Sequence, residues 1–489
     1  MKIYDLFEGI EILKTNTSLQ LEVTNIVNDS RKAKADDIFV AIKGFKRDGN
    51  DYIESAVLNG VSAVVTDEFS ACNNGYPYIL VENVKAALAK MWSNFYGNPT
   101  KAIKIVAITG TNGKTTTACI LNNILNDAGI STGLVSTIGC FINGRQIDIE
   151  KTDTVIDICG AMTTPDPEIL YYILNIMKEN NVRVVVMEAS SHALDQHRLD
   201  GLEVSVGCFT NLSEEHLDYH STMEEYFETK KLLIEKSQKM LVNIDDKYGE
   251  KIAKEKRGEK ILGLSVKDNP GFKIKNVLCS ASGSNYTLEF ENSSIDIFTP
   301  LIGEFNVYNS ALASACAVLL EIDKETITNS IKKTASIRGR LEKYRDKEIY
   351  IDYAHTPEAF RNVLTTIKEL KRRKIIALFG CGGNRDKSKR GEMGRICSKY
   401  ADFTIVTSDN PRNEDADDII SDIVKGIEKG KNYCVVKNRR EAIWLLSKLV
   451  TENHVAILLG KGHEEYEIYK CEKRHFSERE ILDEVFLID

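Results

Sequence analysis

"KIVAITGTNGKTTTA", residues 104–118, is the stretch on which the fold turns. Ile105, Val106, Ala107 and Ile108 form an apolar run suited to a strand buried on both faces. Gly110, Thr111, Asn112, Gly113, Lys114, Thr115 and Thr116 follow, and a Thr-rich helix opens behind them. A strand, a glycine loop and a helix start aim backbone N–H groups at one point, where a phosphate fits. Lys114 would neutralise that phosphate and the Thr115 hydroxyl can ligate Mg²⁺. The loop departs from the standard phosphate-loop spacing, whose first glycine would fall at 108, here Ile. A plain glycine turn is the alternative, but the position between strand and helix favours a nucleotide.

The bulk properties narrow the rest. At 489 residues the chain suggests two to four domains. It is 43% hydrophobic and 28% charged, ordinary for a globular protein. A net charge of −8 without a basic stripe argues against a nucleic-acid partner. No apolar run approaches a membrane span, and the acids in "MKIYDLFEGIEIL" make a poor signal peptide. Eleven cysteines are scattered with no C-x-x-C, which points to reduced thiols and a cytoplasmic setting.

Around the loop the texture is α/β. "DIFVAIKG" (37–44), "VSAVVT" (61–66) and "YPYILV" (76–81) predict strands, and "KAALAKMWSNFYG" (85–97) predicts a helix ending at Gly97-Asn98-Pro99. "STGLVST", "VRVVVMEA" and "VSVGCFTNL" predict further strands of a parallel sheet, and 164–180 a helix. Residues 272–300 read as antiparallel strands, an appended β-layer, followed by a long helix over 307–321. From "SIRGRLEKY" (336–344) a second βα alternation starts, with glycine or Asp/Asn turns at strand C-termini, where ligands of such sheets sit.

Two stretches offer metal-binding groups near the loop. "VVVMEASSHALDQHR" (184–198) runs a strand into Glu188, and "CFTNLSEEHLDYH" (208–220) brings His216 and His220 after another strand. Taken alone, Glu188 reads as a solvated strand end and each His as structural. Their coincidence with the loop shifts that balance.

These stretches resemble the Mur ligase family, in the branch that adds the third amino acid to the UDP-muramoyl dipeptide. The matching motifs run in family order from "DSR" (29–31) through "GTNGKTTT", "TTPDP" (163–167), "SSHALDQHR", "YFETK" (226–230), "GEFNVYN" (303–309), "GRLE" (339–342), "DYAHTP" (352–357), "GCGGNRDKSKR" (380–390) and "DNPR" (409–412) to "GKGHEEYE" (460–467). The resemblance implies three α/β domains: 1–98 for the UDP substrate, 99–333 as a central ATPase with a phosphate-loop-type parallel sheet, and 334–489, Rossmann-like, for ATP and the amino acid. It also implies a reaction in which ATP phosphorylates the dipeptide's terminal carboxylate and an amine displaces the phosphate.

By the same resemblance, Lys114, Glu188, His216 and Lys230 are catalytic, with Thr115, Glu188, His216 and Lys230 holding Mg²⁺. Lys230 would act as a carbamate (N6-carboxylysine), although by its residues alone it is a solvated helix lysine beside Lys231. Asn306, Arg340, Asp352 and His355 are implied in ATP binding with the loop, and Asn309 beside them. Ser30, Thr163, Thr164, Ser190, Gln196 and Arg198 are implied to bind UDP-N-acetylmuramoyl dipeptide. "TTP" alone could be a helix N-terminus capped by Thr. For the amino acid, Arg385, Asp409, Asn410, Pro411, Arg412, Gly460 and Glu464 are implied, and "DNPR" favours meso-diaminopimelate over L-lysine. Arg412 would fork onto the distal carboxylate that lysine lacks. A monomer is expected.

The chain departs from the family pattern at Asn50 and Tyr52 in the first domain, and at Glu215, where relatives carry Asp before the metal histidine. A folylpolyglutamate synthase-like ligase and a nucleotide switch without ligase activity are the competing readings.

Overall fold

The computed structural model describes residues 1–44, 47–70, 75–147, 149–151, 154–156, 162–255, 260–267, 271–334, 336–371, 373–470 and 472–487. Three main sheets build three lobes. The first lobe holds a five-stranded sheet in the order Ile12–Thr15, Tyr78–Val81, Ala63–Thr66, Ile38–Val40, Ile26–Val27, parallel except at its first strand. The predicted helix is there as Val84–Phe95, with Asn83 accepting from Lys85 and Ala86 N–H as its N-cap. Asn50, one of the departures, is tied to Asp48 and to Thr66 Oγ1 at 2.9 Å each.

Among the described residues the main sheet of the central lobe has 11 strands, and Ile149–Lys151 and Thr154–Ile156 pair apart from it. Strand Lys104–Thr109 lies in its middle, parallel to Val184–Glu188 on one side and Val204–Phe209 on the other. Its residues from Ile105 on are buried on both faces, which explains the unbroken apolar run. Glu188 pairs with Ile108 and Phe209 with Thr109, so the glycine loop, the acid and the histidine segment leave the sheet at one end. The strands within 272–300 are antiparallel to one another as expected, but they are no separate layer. Phe272–Ser280 joins the parallel strand Ile261–Ser265 through Leu264 and Ser265 and so extends the sheet. The long helix begins earlier than the periodicity suggests, at Glu304, and runs to Leu319. It packs on the loop's own helix, Lys114–Asp127, and the apolar residues of both share one core cluster.

The third lobe orders its sheet Glu342–Lys343, Ile349–Asp352, His454–Leu459, Lys374–Phe379, Phe403–Val406, Tyr433–Val435, parallel beyond the first strand. Its floor is ionic. Arg439, completely buried, donates to Glu478 at 2.7 and 2.9 Å, to Ser408 O at 3.1 Å and to Leu459 O at 2.8 Å. Removing one partner strands a buried charge, which costs about 3–5 kcal/mol. Arg439→Ala should therefore lower the third lobe's urea midpoint sharply; an unchanged midpoint would show that the pair contributes nothing.

Candidate active site

The loop is built from backbone geometry that only glycine tolerates at two points. Gly110 (φ +142°) has no room for a Cβ against Thr210 Oγ1, and Gly113 (φ +85°) none against Asn309 Oδ1. Neighbouring segments hold it: Thr111 N–H donates to Asn211 O at 2.8 Å and Asn112 N–H to Asn211 Oδ1 at 3.0 Å. Thr111 Oγ1 also meets the Tyr226 hydroxyl at 3.1 Å. Thr116 is buried in the first turn of the helix behind.

Lys114 Nζ folds back onto Gly110 O at 2.9 Å and Thr111 O at 2.7 Å. Lys230 Nζ, from the helix Met223–Lys236, donates to the same Gly110 O at 2.9 Å. Lys230 is 1% exposed, whereas Lys231 is ion-paired at the surface with Glu228 and Glu255. Burial, then the Lys114 charge, pushes Lys230 well below the ordinary lysine range, and burial also lowers Lys114. His216 is drawn into the same field. Burial lowers its pKa to about 3, opposed by Glu215 and reinforced by His192, Lys230 and Lys114.

Glu188 is not a solvated strand end: it is 0% exposed. Its carboxylate accepts from Thr137 N–H at 2.9 Å and Thr137 Oγ1 at 3.1 Å, and its charge is felt by Lys114. Thr163 Oγ1 meets Thr137 Oγ1 at 3.2 Å and, with the Thr137 proton on Glu188, is the donor there. Thr164 Oγ1 donates to Glu188 O at 2.8 Å and accepts from Ser190 N–H at 3.0 Å. Neither threonine caps the next helix. That helix starts at Pro167 behind Asp166, so the capping alternative for "TTP" fails. Arg198 joins this shelf through Thr164 O at 2.7 Å, Gln196 Oε1 at 2.7 Å and Asp166 at 3.0 Å. Ser30 lies apart, buried in the first lobe with its carbonyl accepting from Asn59.

The third lobe closes over the loop. Arg340 Nη2 donates to Thr115 Oγ1 at 2.9 Å, across 225 residues of chain, and its guanidinium stacks on Tyr353 at 4.7 Å. Asp352 is buried and accepts from Leu341 N–H at 2.6 Å and Ala354 N–H at 2.7 Å; burial raises its pKa. His355 meets Glu215 Oε1 at 2.9 Å, so the glutamate that departs from the family pattern binds across the lobe seam. Asn306 donates to Ile302 O and accepts from Asn309 at 3.0 Å, which sets Asn309 against Gly113.

A second cluster sits at the C-terminal ends of the third sheet. Asn410 Nδ2 donates to Glu464 at 2.8 Å, while its Oδ1 accepts from Lys461 Nζ at 3.0 Å. Asp409 stands against Gly460 and is buried; Lys461 and Arg439 outweigh that burial and hold its pKa low. Burial and then Asp409 raise Glu464. Arg412, following Pro411, donates from Nη1 to Gly383 O at 2.8 Å. Arg385 is exposed and faces the central lobe: with burial and His220, its charge helps lower His192 to about 4.

Hard oxygen donors suit Mg²⁺, which takes one or two carboxylates plus phosphate oxygens rather than a protein cage. Thr115 and the buried Glu188 fit that demand. Among the described residues no three His, Cys, Asp or Glu side chains converge as a metal cluster. The sequence does not mark Thr137 or Arg439, nor the contacts of Glu215, Lys461 and His463. The last two lie inside "GKGHE", so their stretch was marked although their contacts were not.

Comparison with known proteins supplies the family. The Mur ligase middle domain matches residues 108–317, the Mur ligase glutamate ligase domain 339–462, and the Mur ligase family catalytic domain 22–96. A UDP-N-acetylmuramoyl-L-alanyl-D-glutamate–2,6-diaminopimelate ligase of Clostridium tetani is 38% identical over 494 residues, 99% of each chain. A solved structure of a ligase of that name superposes with TM-score 0.69 and 28% identity over 100% of this chain and 99% of that one. A folylpolyglutamate synthase of Mycobacterium tuberculosis shares the fold at TM-score 0.63 and 17% identity, over 77% of this chain and 92% of its own. With matched domains spanning all three lobes and a curated relative aligned end to end, the chain belongs to the Mur ligase family.

Proposed function

We propose that the protein is an ATP-dependent ligase joining meso-diaminopimelate to the D-glutamate of UDP-N-acetylmuramoyl-L-Ala-D-Glu, with release of ADP and phosphate. The lobes divide at 98/99 and 333/334. One observation carries the reading: Lys114, Lys230 and, from the third lobe, Arg340 gather on a single glycine loop. Such a cluster suits a γ-phosphoryl group in transit. A carboxylate is a poor acylating agent; once phosphorylated it has a good leaving group, and the protein's tasks become positioning and charge neutralisation.

Lys114 and Arg340 leave their present partners for phosphate oxygens, and Asp352, His355 and Asn306 border the nucleotide. Thr163, Thr164, Ser190, Gln196 and Arg198 hold the muramoyl peptide beside Glu188, and Ser30 meets its uridine end. Mg²⁺ would be held by Thr115 and Glu188, with His216 and carbamylated Lys230 for a second ion, and would neutralise phosphate charge. The carbamate forms when the neutral Lys230 amine adds to CO₂ and sheds a proton, and burial with a cationic neighbour favours that neutral amine.

Arg385, Asp409, Asn410, Pro411, Arg412, Gly460 and Glu464 line the amino-acid site. Glu464 takes the distal ammonium, and Arg412 exchanges Gly383 O for the distal carboxylate. Arg412→Ala should cost ten- to hundredfold in kcat/KM with diaminopimelate, the worth of a charge-assisted fork at about 1.5–3 kcal/mol. With lysine the loss should be small, and equal losses would remove Arg412 from selection. The decisive assay offers diaminopimelate or lysine with ATP, Mg²⁺ and UDP-muramoyl dipeptide and weighs the products by mass spectrometry. Folate with glutamate is the control for the rival ligase.

A further inference from the structure

His463 is buried, 8% exposed, and no side chain partners either ring nitrogen; the one polar group set against the ring is the Thr137 backbone across the seam. Buried polar groups in native proteins almost always find partners, and an orphan calls for an explanation. Its surroundings narrow that explanation. The ring packs on Tyr353 at 4.7 Å, and Tyr353 also stacks the Arg340 guanidinium. Gly339 has no Cβ because the His463 backbone occupies that space. Across the seam stands the backbone of Thr137, whose N–H and hydroxyl hold Glu188 and whose hydroxyl reaches Thr163. The next residue in the chain is Glu464, which with Asn410 forms the proposed amino-acid site. His463 therefore stands between the proposed acyl and phosphoryl side, at Thr137 and Arg340, and the proposed amino-acid site.

We propose that His463 is the catalytic base that takes a proton from the incoming amine. This rests on the ligase reading above. The amine arrives as an ammonium and must lose one proton before it attacks. That proton goes to a ring nitrogen of His463. The C–N bond then forms, the carbonyl C–O bond breaks, and phosphate departs with the bonding pair. The second amine proton leaves with that phosphate.

The alternatives nearby are committed. His355 is engaged by Glu215 and by Tyr353 O at 2.7 Å, and Glu464 by Asn410. The groups facing His463 are cationic or neutral: Arg340 and Arg338 from the turn before the third sheet, His355 and Tyr353 from the end of Ile349–Asp352, and Thr137 from the central lobe. Burial is the largest cause, with Arg340, Arg338 and His355 next; the Thr137 backbone opposes them, and the balance lowers the pKa of the ring to about 3. An acyl phosphate beside Arg340 brings in the anion that raises it and readies the base.

The test separates the half-reactions. Hydroxylamine, unprotonated at neutral pH, captures an acyl phosphate as hydroxamate without a base. Wild-type protein with ATP, Mg²⁺ and UDP-muramoyl dipeptide should form hydroxamate; if it does not, the ligase reading itself fails. His463→Gln should form hydroxamate within about threefold of wild type while diaminopimelate coupling falls roughly 10²–10⁴-fold. Coupling should recover as pH rises and the amine deprotonates unaided. In His463→Ala, added imidazole should restore part of the coupling. Parallel loss of hydroxamate and coupling, or coupling that stays near wild type, would overturn the assignment.

Discussion

Lys114→Ala is expected to lower acceptor-dependent phosphate release by roughly 10²–10³-fold, the range seen when one preorganised donor to developing charge is removed. Lys114 Nζ donates to the carbonyls of Gly110 and Thr111. Burial disfavours its charge, and Glu188 and Glu215 restore part of it. A phosphate entering the loop offers a full anion in place of two carbonyl dipoles, so the ammonium is used most strongly as charge builds on the transferred group. Alanine leaves Gly110 and Gly113 in place, so nucleotide affinity should fall less than kcat. Near-normal phosphate release would refute the phosphate-loop assignment.

Lys230→Ala should be nearly as damaging, again on the order of 10²–10³-fold, and a small carboxylic acid such as acetate should restore part of the rate. The logic is one of volume and sign. Alanine opens a cavity beside Gly110 O and the Tyr226 ring, now 4.8 Å from Nζ. An acetate in that cavity would return the anion that the carbamate supplies. The amine itself cannot: it is a donor with no free pair when protonated, and it stands beside another lysine. Full activity without rescue would exclude a carbamate role. Rescue by ammonium salts rather than acetate would point to the bare lysine cation.

Much of this was legible in the residues. The apolar run 105–108, the positive-φ glycines and the helix behind them are local effects, and the strand, loop and helix stand where the sequence put them. Lys230 was not legible that way. Lys230 and Lys231 are the same residue type on one helix, and only the packing of Met223–Lys236 buries the first and leaves the second half-buried in surface ion pairs. Glu215 was visible as a departure, but its bond to His355 spans 140 residues. The antiparallel pairing within 272–300 is visible in its alternation, yet the junction with Ile261–Ser265 depends on a two-residue pairing that no periodicity encodes.

Local residue pattern was enough for the class of sheet, the phosphate loop, and a family motif set broad enough to name the chemistry. Those are consequences of side-chain period, glycine φ and strand-end position, all set within a few residues. Tertiary packing brings the groups together: Arg340 on Thr115, Lys230 on the carbonyl that Lys114 also holds, and His463 against Thr137 at the seam. The Arg340–Thr115 and Lys230–Gly110 contacts join segments more than a hundred residues apart, and their electrostatics depend on how much water the packed lobes exclude.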